Sequence, residues 1–181
     1  MMDFPLTITV YGEAQPAGSK RAVPLGGRSP NGRWGVVDAN RKSEPWKAMV
    51  AQEAGEQYRE PVLTIPLVVE FVFYVVRPKG HFGTGRNEGI VKDSAPAYPS
   101  KKPDVLKLAR GVEDALTGVV WADDAQIVDE RVAKRYGDQA RVEIRVWPAE
   151  VRTVSDLLAV GIIEPQQVEV LFEQLSLTPA A

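Results

Sequence analysis

Lys102-Pro103-Asp104-Val105-Leu106-Lys107-Leu108-Ala109-Arg110-Gly111-Val112-Glu113-Asp114-Ala115-Leu116-Thr117-Gly118 leads into Trp121-Ala122-Asp123-Asp124-Ala125-Gln126, and most of the chain can be placed by working outward from it. Val105, Leu108, Ala109, Val112, Ala115 and Leu116 recur at helical spacing, which predicts one amphipathic helix with its apolar stripe on a core. Asp104 stands where an N-cap belongs and Gly118 supplies the stop. Along the flank of the stripe run Leu106, Arg110, Glu113 and Thr117, so Leu106 is an apolar exception on a polar edge. Asp104 before the helix and Asp123-Asp124 after it place carboxylates at both ends.

On either side of this helix the pattern changes to period two. Leu6 to Tyr11 alternates like a half-buried strand, and the Gly/Pro/Ser-rich run from Gly12 to Gly32 is expected to be a loop carrying Lys20, Arg21 and Arg28. Trp34 to Val37 suits a short strand. Ser43-Glu44-Pro45-Trp46 reads as a helix start, with Ser43 at the N-cap and the helix running to about Gln57. Leu67 to Val76 is nearly all β-branched or aromatic, as in a central strand covered on both faces, and Glu70 within it calls for an Arg on a neighbouring strand. Gly80 to Ser100 has no periodicity and is expected to be a long loop that leaves His81 in solvent. Ala125 to Lys134 and Ala140 to Trp147 are expected to pair as a hairpin around Tyr136-Gly137-Asp138, with Val142, Ile144 and Val146 inward. The fold class is therefore α+β: a small mixed β-sheet with two main helices, followed by a short helical C-terminal tail. Residues 1–148 form the main domain and 149–181 an acidic extension, with helical candidates at Val154 to Val160 and Pro165 to Leu175.

The absence of cysteine excludes disulfides, thiol catalysis and Cys-ligated zinc, and a single histidine excludes a histidine-rich metal centre. A metal here would be held by oxygen. No apolar run is long enough to span a membrane, and the first residues lack a basic leader or hydrophobic core, so a cytoplasmic protein is expected. The net charge of -2 conceals segregation: Ser19 to Lys47 carries seven Lys/Arg against two acids, and Arg77 to Arg110 eight against three. Two basic segments suit a polyanion such as DNA, although Lys/Arg-rich loops are also simply solvated.

Hydrolysis of a phosphodiester needs the phosphate charge neutralised, a water activated and the leaving oxygen stabilised, and Mg²⁺ held by two or three carboxylates can serve all three needs. A chain that folds back after Gly118 would bring Asp123-Asp124 toward Asp104 or the helix flank. The same residues also read as a helix cap and a solvated turn.

The stretch from Lys102 to Lys134 resembles the signature region of the RusA family of Holliday junction resolvases, above all in Asp114-Ala115-Leu116-Thr117 and Trp121-x-Asp123-Asp124-x-Gln126. Weaker similarity extends over residues 6–147. The resemblance implies a homodimeric, Mg²⁺-dependent endonuclease, with Mn²⁺ as a substitute, that binds four-way or branched DNA and nicks two opposed strands in recombination and repair. It also implies a bacterial cytoplasmic protein, with a phage or prophage origin as in many relatives. The family's carboxylates map onto Asp104, position 106 and Asp124, and its functional lysine onto position 110. Here Leu106 and Arg110 occupy two of those places. Leucine cannot ligate Mg²⁺; arginine can still grip a phosphate but is a poor proton donor. Glu113, seven residues beyond Leu106 on the same edge, is the candidate for the missing carboxylate, with surface pairing to Arg110 as its alternative role. The expected catalytic set is Asp104, Asp124, Arg110 and Glu113, the metal set Asp104, Asp123, Asp124 and Glu113, and the DNA contacts Lys20, Arg21, Lys101, Lys102 and Lys107. Two other outcomes compatible with Leu106 are a junction-binding protein without cleavage and a less structure-selective nuclease.

Overall fold

The computed structural model describes residues 4–18, 20–24, 34–38 and 40–149. The helical candidates between 154 and 175 therefore lie outside the described residues. The elements are β1 (Leu6–Tyr11), β2 (Lys20–Pro24), β3 (Trp34–Asp38), α1 (Ser43–Gln57), β4 (Leu67–Val76), α2 (Val105–Leu116), β5 (Ile127–Gly137) and β6 (Arg141–Pro148). A four-stranded sheet in the order β1-β6-β4-β5 carries the domain. Its β4–β5 pair is parallel and the others antiparallel, whereas β2 and β3 form a separate antiparallel pair.

Both helices cover one face of the sheet. Trp46, Val50 and Ala54 of α1, spaced by four, are buried there, and so are Leu108, Val112 and Leu116 of α2. They meet Ile8 and Val10 of β1, Phe71 and Phe73 of β4, and Val142, Ile144 and Val146 of β6 in a single core. Each of those strands contributes alternate residues, so the period-two pattern aims one set of side chains at the helices. Lys47 of α1 bonds to Asp114 of α2 at 2.8 Å, tying the helices across their exposed edge.

Three expectations need correction. The run from Gly12 to Gly32 is not all loop, because Lys20–Pro24 pairs with Trp34–Asp38. Ser43 is the first residue of α1 rather than its N-cap, and Lys42 holds the cap position without a side-chain bond. Most consequentially, β5 and β6 do not pair with each other: β4 lies between them, parallel to β5 and antiparallel to β6. An apolar strand such as β4 needs neighbours on both edges, and the short link after Gly137 passes over its end. A Cβ on Gly137 would stand 3.0 Å from the Tyr74 ring, so the crossing is close. The expected partner of Glu70 is Arg145, one strand away at 3.2 Å.

Candidate functional site

At the C-terminal end of α2 the chain is turned and pinned by its own signature residues. The Thr117 hydroxyl donates to Glu113 O at 3.1 Å and accepts from Trp121 Nε1 at 3.2 Å, while Gly118 at φ +80° makes the reversal that would strain a side chain. Trp121 is fully buried. Asp123 then caps a short 3₁₀ turn, Asp124–Gln126: its Oδ1 accepts from Ala125 N at 2.8 Å, and Gln126 Oε1 accepts from Asp123 N at 2.9 Å. Gln126 Nε2 donates to Leu63 O and Ile65 O, at 3.1 and 2.9 Å. Every polar member of Trp-x-Asp-Asp-x-Gln except Asp124 is thus committed to holding the turn. Asp124 is left exposed toward the helix.

What Asp124 faces is an open pocket of about 300 Å³ lined by Glu113, Asp124, Asp129 and Glu130, with no Lys or Arg among its walls. Glu113 of α2 and Glu130 of β5 both line this pocket. The Glu113 carboxyl is pushed up from the ordinary 4.5 to about 8, first by burial, then by the adjacent Glu130 carboxyl and by the charges of Asp124 and Asp114. Carboxylates gathered without a basic neighbour lack a counter-charge, and an oxygen-only anionic set suits a hard divalent cation. Among the described residues no three acidic side chains enclose a metal by themselves. Mg²⁺ does not require such a cage, since it keeps several waters and takes only one or two carboxylates. The donor chemistry therefore fits Mg²⁺, which would be held by Asp124 together with one carboxylate of the Glu113–Glu130 pair.

Asp104 lies at the opposite end of α2. It occupies the N-cap position with no side-chain cap bond, its Oδ2 3.9 Å from Lys107 Nζ. With Glu13, Lys102 and Lys107 it lines a separate pocket of about 380 Å³. Nine residues separate it from Glu113, about 13 Å of helix rise, so the two do not share a site. The neighbouring loop is seated by Gly111, where a Cβ would approach Gln15 O to 3.3 Å, and by Ala17 N donating to Lys107 O at 2.7 Å. From β5, Lys134 Nζ donates to both Lys101 O and Pro103 O at 2.8 Å, fixing the entry to the helix.

The family described as endodeoxyribonuclease RusA matches residues 24–147. The chain belongs to the RusA endodeoxyribonuclease family. It is also 31% identical over 141 residues, 78% of this chain and 94% of the other, to the uncharacterized protein YqaN of Bacillus subtilis (strain 168).

Seen against the RusA pattern, the structure keeps Asp104 and Asp124 apart, and it leaves the two departures between them. Leu106 is exposed, and so is Arg110, which makes no ion pair among the described residues. The surface pairing of Glu113 with Arg110 is therefore absent; Glu113 turns to Glu130 instead. Asp123 is engaged in the cap and does not line the acidic pocket. Of the expected DNA contacts, Lys101, Lys102 and Lys107 are exposed around the start of α2, whereas Lys20 and Arg21 lie on β2. Glu130 on β5 and Glu13 beside Asp104 were not among the expected site residues. Glu130 had a signal: it shares strand parity with Val132, which packs on the core, and that parity points it toward α2.

Proposed function

We propose that this chain is a divalent-metal-dependent endonuclease that resolves four-way and other branched DNA as a homodimer, with its cation held at the C-terminal end of α2. Support for junction resolution comes from the family, and the two-fold symmetry of a dimer suits paired cuts in opposed strands. The observation that carries the metal assignment is the pocket in which Glu113, Asp124, Asp129 and Glu130 come together without a basic residue. Mg²⁺ bound there supplies the charge that screens phosphate oxygens and acidifies a water. The chain's own residues do the rest. Gln126 and Asp123 hold Asp124 in place, Lys101, Lys102 and Lys107 bind the DNA backbone, and Arg110, midway along the edge between the two pockets, grips phosphate through its planar fork.

Incubating the protein with end-labelled four-way junctions and Mg²⁺ or Mn²⁺, beside linear duplex and single-stranded controls, tests this. Symmetrical nicks in opposed strands of the junction alone are the expected result. Tight binding without nicking under either metal would mean that Leu106 marks a protein that binds junctions and no longer cuts them.

A further inference from the structure

A second pocket lies at the basic end of α2, between the long 77–103 segment and β5. It encloses about 260 Å³, below the range of about 300–1,000 Å³ taken by drug-sized ligands, and so suits a single flat heterocycle. Its walls are Pro78, Pro96 and Pro99 with the rings of His81 and Tyr136. Contrary to expectation, His81 is not out in solvent: it is half-buried and meets Tyr136 edge-on at 5.7 Å. Arg77 sits over the Tyr136 ring at 4.0 Å and donates to Pro96 O at 2.9 Å, so the tyrosine is held by two side chains before any ligand arrives. No acid lines this pocket. Lys101 and Lys102 stand exposed at its mouth, and Lys102-Pro103 connects it directly to the pocket of Asp104.

We propose that this pocket receives one unstacked base of the DNA, while Lys101 and Lys102 hold the phosphates on either side of it. The proposal rests on the reading of the chain as a branched-DNA nuclease and adds how such a protein could choose where on a junction it sits. Rigid proline and aromatic walls give a base an apolar surface at little ordering cost, and cations at the mouth match the charge of the strand that must accompany it. Branched DNA is the substrate that suits it, because bases at or near a branch leave the stack more cheaply than those inside a duplex.

The test combines a change in the DNA with a change in the protein. Junctions carrying a single abasic site at successive positions around the branch are titrated with wild type, Ser100→Trp and His81→Ala, in EDTA so that nothing is cut. Ser100 is exposed at the pocket mouth, and tryptophan there fills the space without removing a wall. For wild type, removing the base at one position weakens binding about tenfold. With Ser100→Trp the intact junction binds correspondingly more weakly, and base removal at that position changes Kd less than about twofold. His81→Ala loses most of the same penalty. Wild type that ignores base removal at every position, or an equal penalty in wild type and Ser100→Trp, overturns the pocket. These outcomes are distinct from failure of the functional reading: a wild type that neither binds nor nicks the intact junction overturns both, whereas one that nicks it yet ignores base removal overturns only the pocket.

Discussion

The two ends of α2 are built from the same helix and carry opposite chemistry. Its C-terminal end faces Glu113, Asp124, Asp129 and Glu130 with no base among them, and its N-terminal end is ringed by Lys101, Lys102 and Lys107 around Asp104. A helix C-terminus is the poorer place for anions, because its own carbonyls already make it negative. Acids gathered there without lysine or arginine accumulate an unmet need for positive charge, which Glu113 relieves by taking a proton. Acids at the other end have Lys107 and Lys102 nearby. The difference teaches which end lacks a cation and which end can attract a polyanion.

The sharpest way to break this contrast is to neutralise one acid at each end. Asp124→Asn should lower the rate of junction nicking about a hundredfold or more while leaving junction affinity in EDTA nearly unchanged, since a metal contributes several kcal/mol to such a reaction. Asp104→Asn, in the other pocket, should cost much less in rate. Equal losses from the two would show that they serve one centre. At the basic end, the double substitution Lys101→Ala/Lys102→Ala should weaken junction binding about tenfold at low salt and reduce the slope of log affinity against log salt by about 2. An unchanged slope would remove these lysines from the DNA path.

A smaller effect is expected where the acidic end is supported. Gln126→Ala removes the bonds to Ile65 O and Asp123 N and one of the two at Leu63 O, which keeps Ala122 N, so thermal unfolding should show a loss of about 1–2 kcal/mol. Nicking should also fall by about tenfold or more as Asp124 loses its support. The smallest effect is on pH dependence. Because the folded pKa of Glu113 lies near 8 and the unfolded one near 4.5, the folded chain keeps a proton that the unfolded chain releases. Its contribution to stability is present below about pH 4.5 and disappears as pH rises through 8. In EDTA, Tm of the wild type should fall more steeply between pH 5 and 9 than that of Glu113→Gln, which stays neutral throughout. Parallel curves would show that Glu113 carries no such proton.

How much of this was legible beforehand differs along the chain for physical reasons. Helix α2 and strands β1, β4 and β6 each have one strongly apolar face, and a periodic pattern reports a face directly. It does not report neighbours, which is why β5 and β6, joined by a tight turn, were expected to pair when β4 separates them. Strand β2 was hidden in a run of glycine, proline and serine, because two-stranded pairing asks little of composition. Within the site, the spacing of Trp121, Asp123, Asp124 and Gln126 marked the turn that presents Asp124, and the helical edge linked Leu106, Arg110 and Glu113. The sequence could not show that Asp104 and Asp124 stand at separate pockets, nor that Glu130 meets Glu113, because both depend on how β5 lies along α2. The acidic extension beyond residue 149 lies outside the described residues.

The most direct test of where the cation sits needs no catalysis. In a backbone-assigned sample, substoichiometric Mn²⁺ broadens the amide signals nearest the bound ion. We expect losses first at Glu113 and at residues 124–130, with Lys102 to Lys107 spared and with the broadening abolished in Asp124→Asn. Broadening centred on Asp104 that persists in Asp124→Asn would place the cation at the basic end of the helix and contradict the assignment.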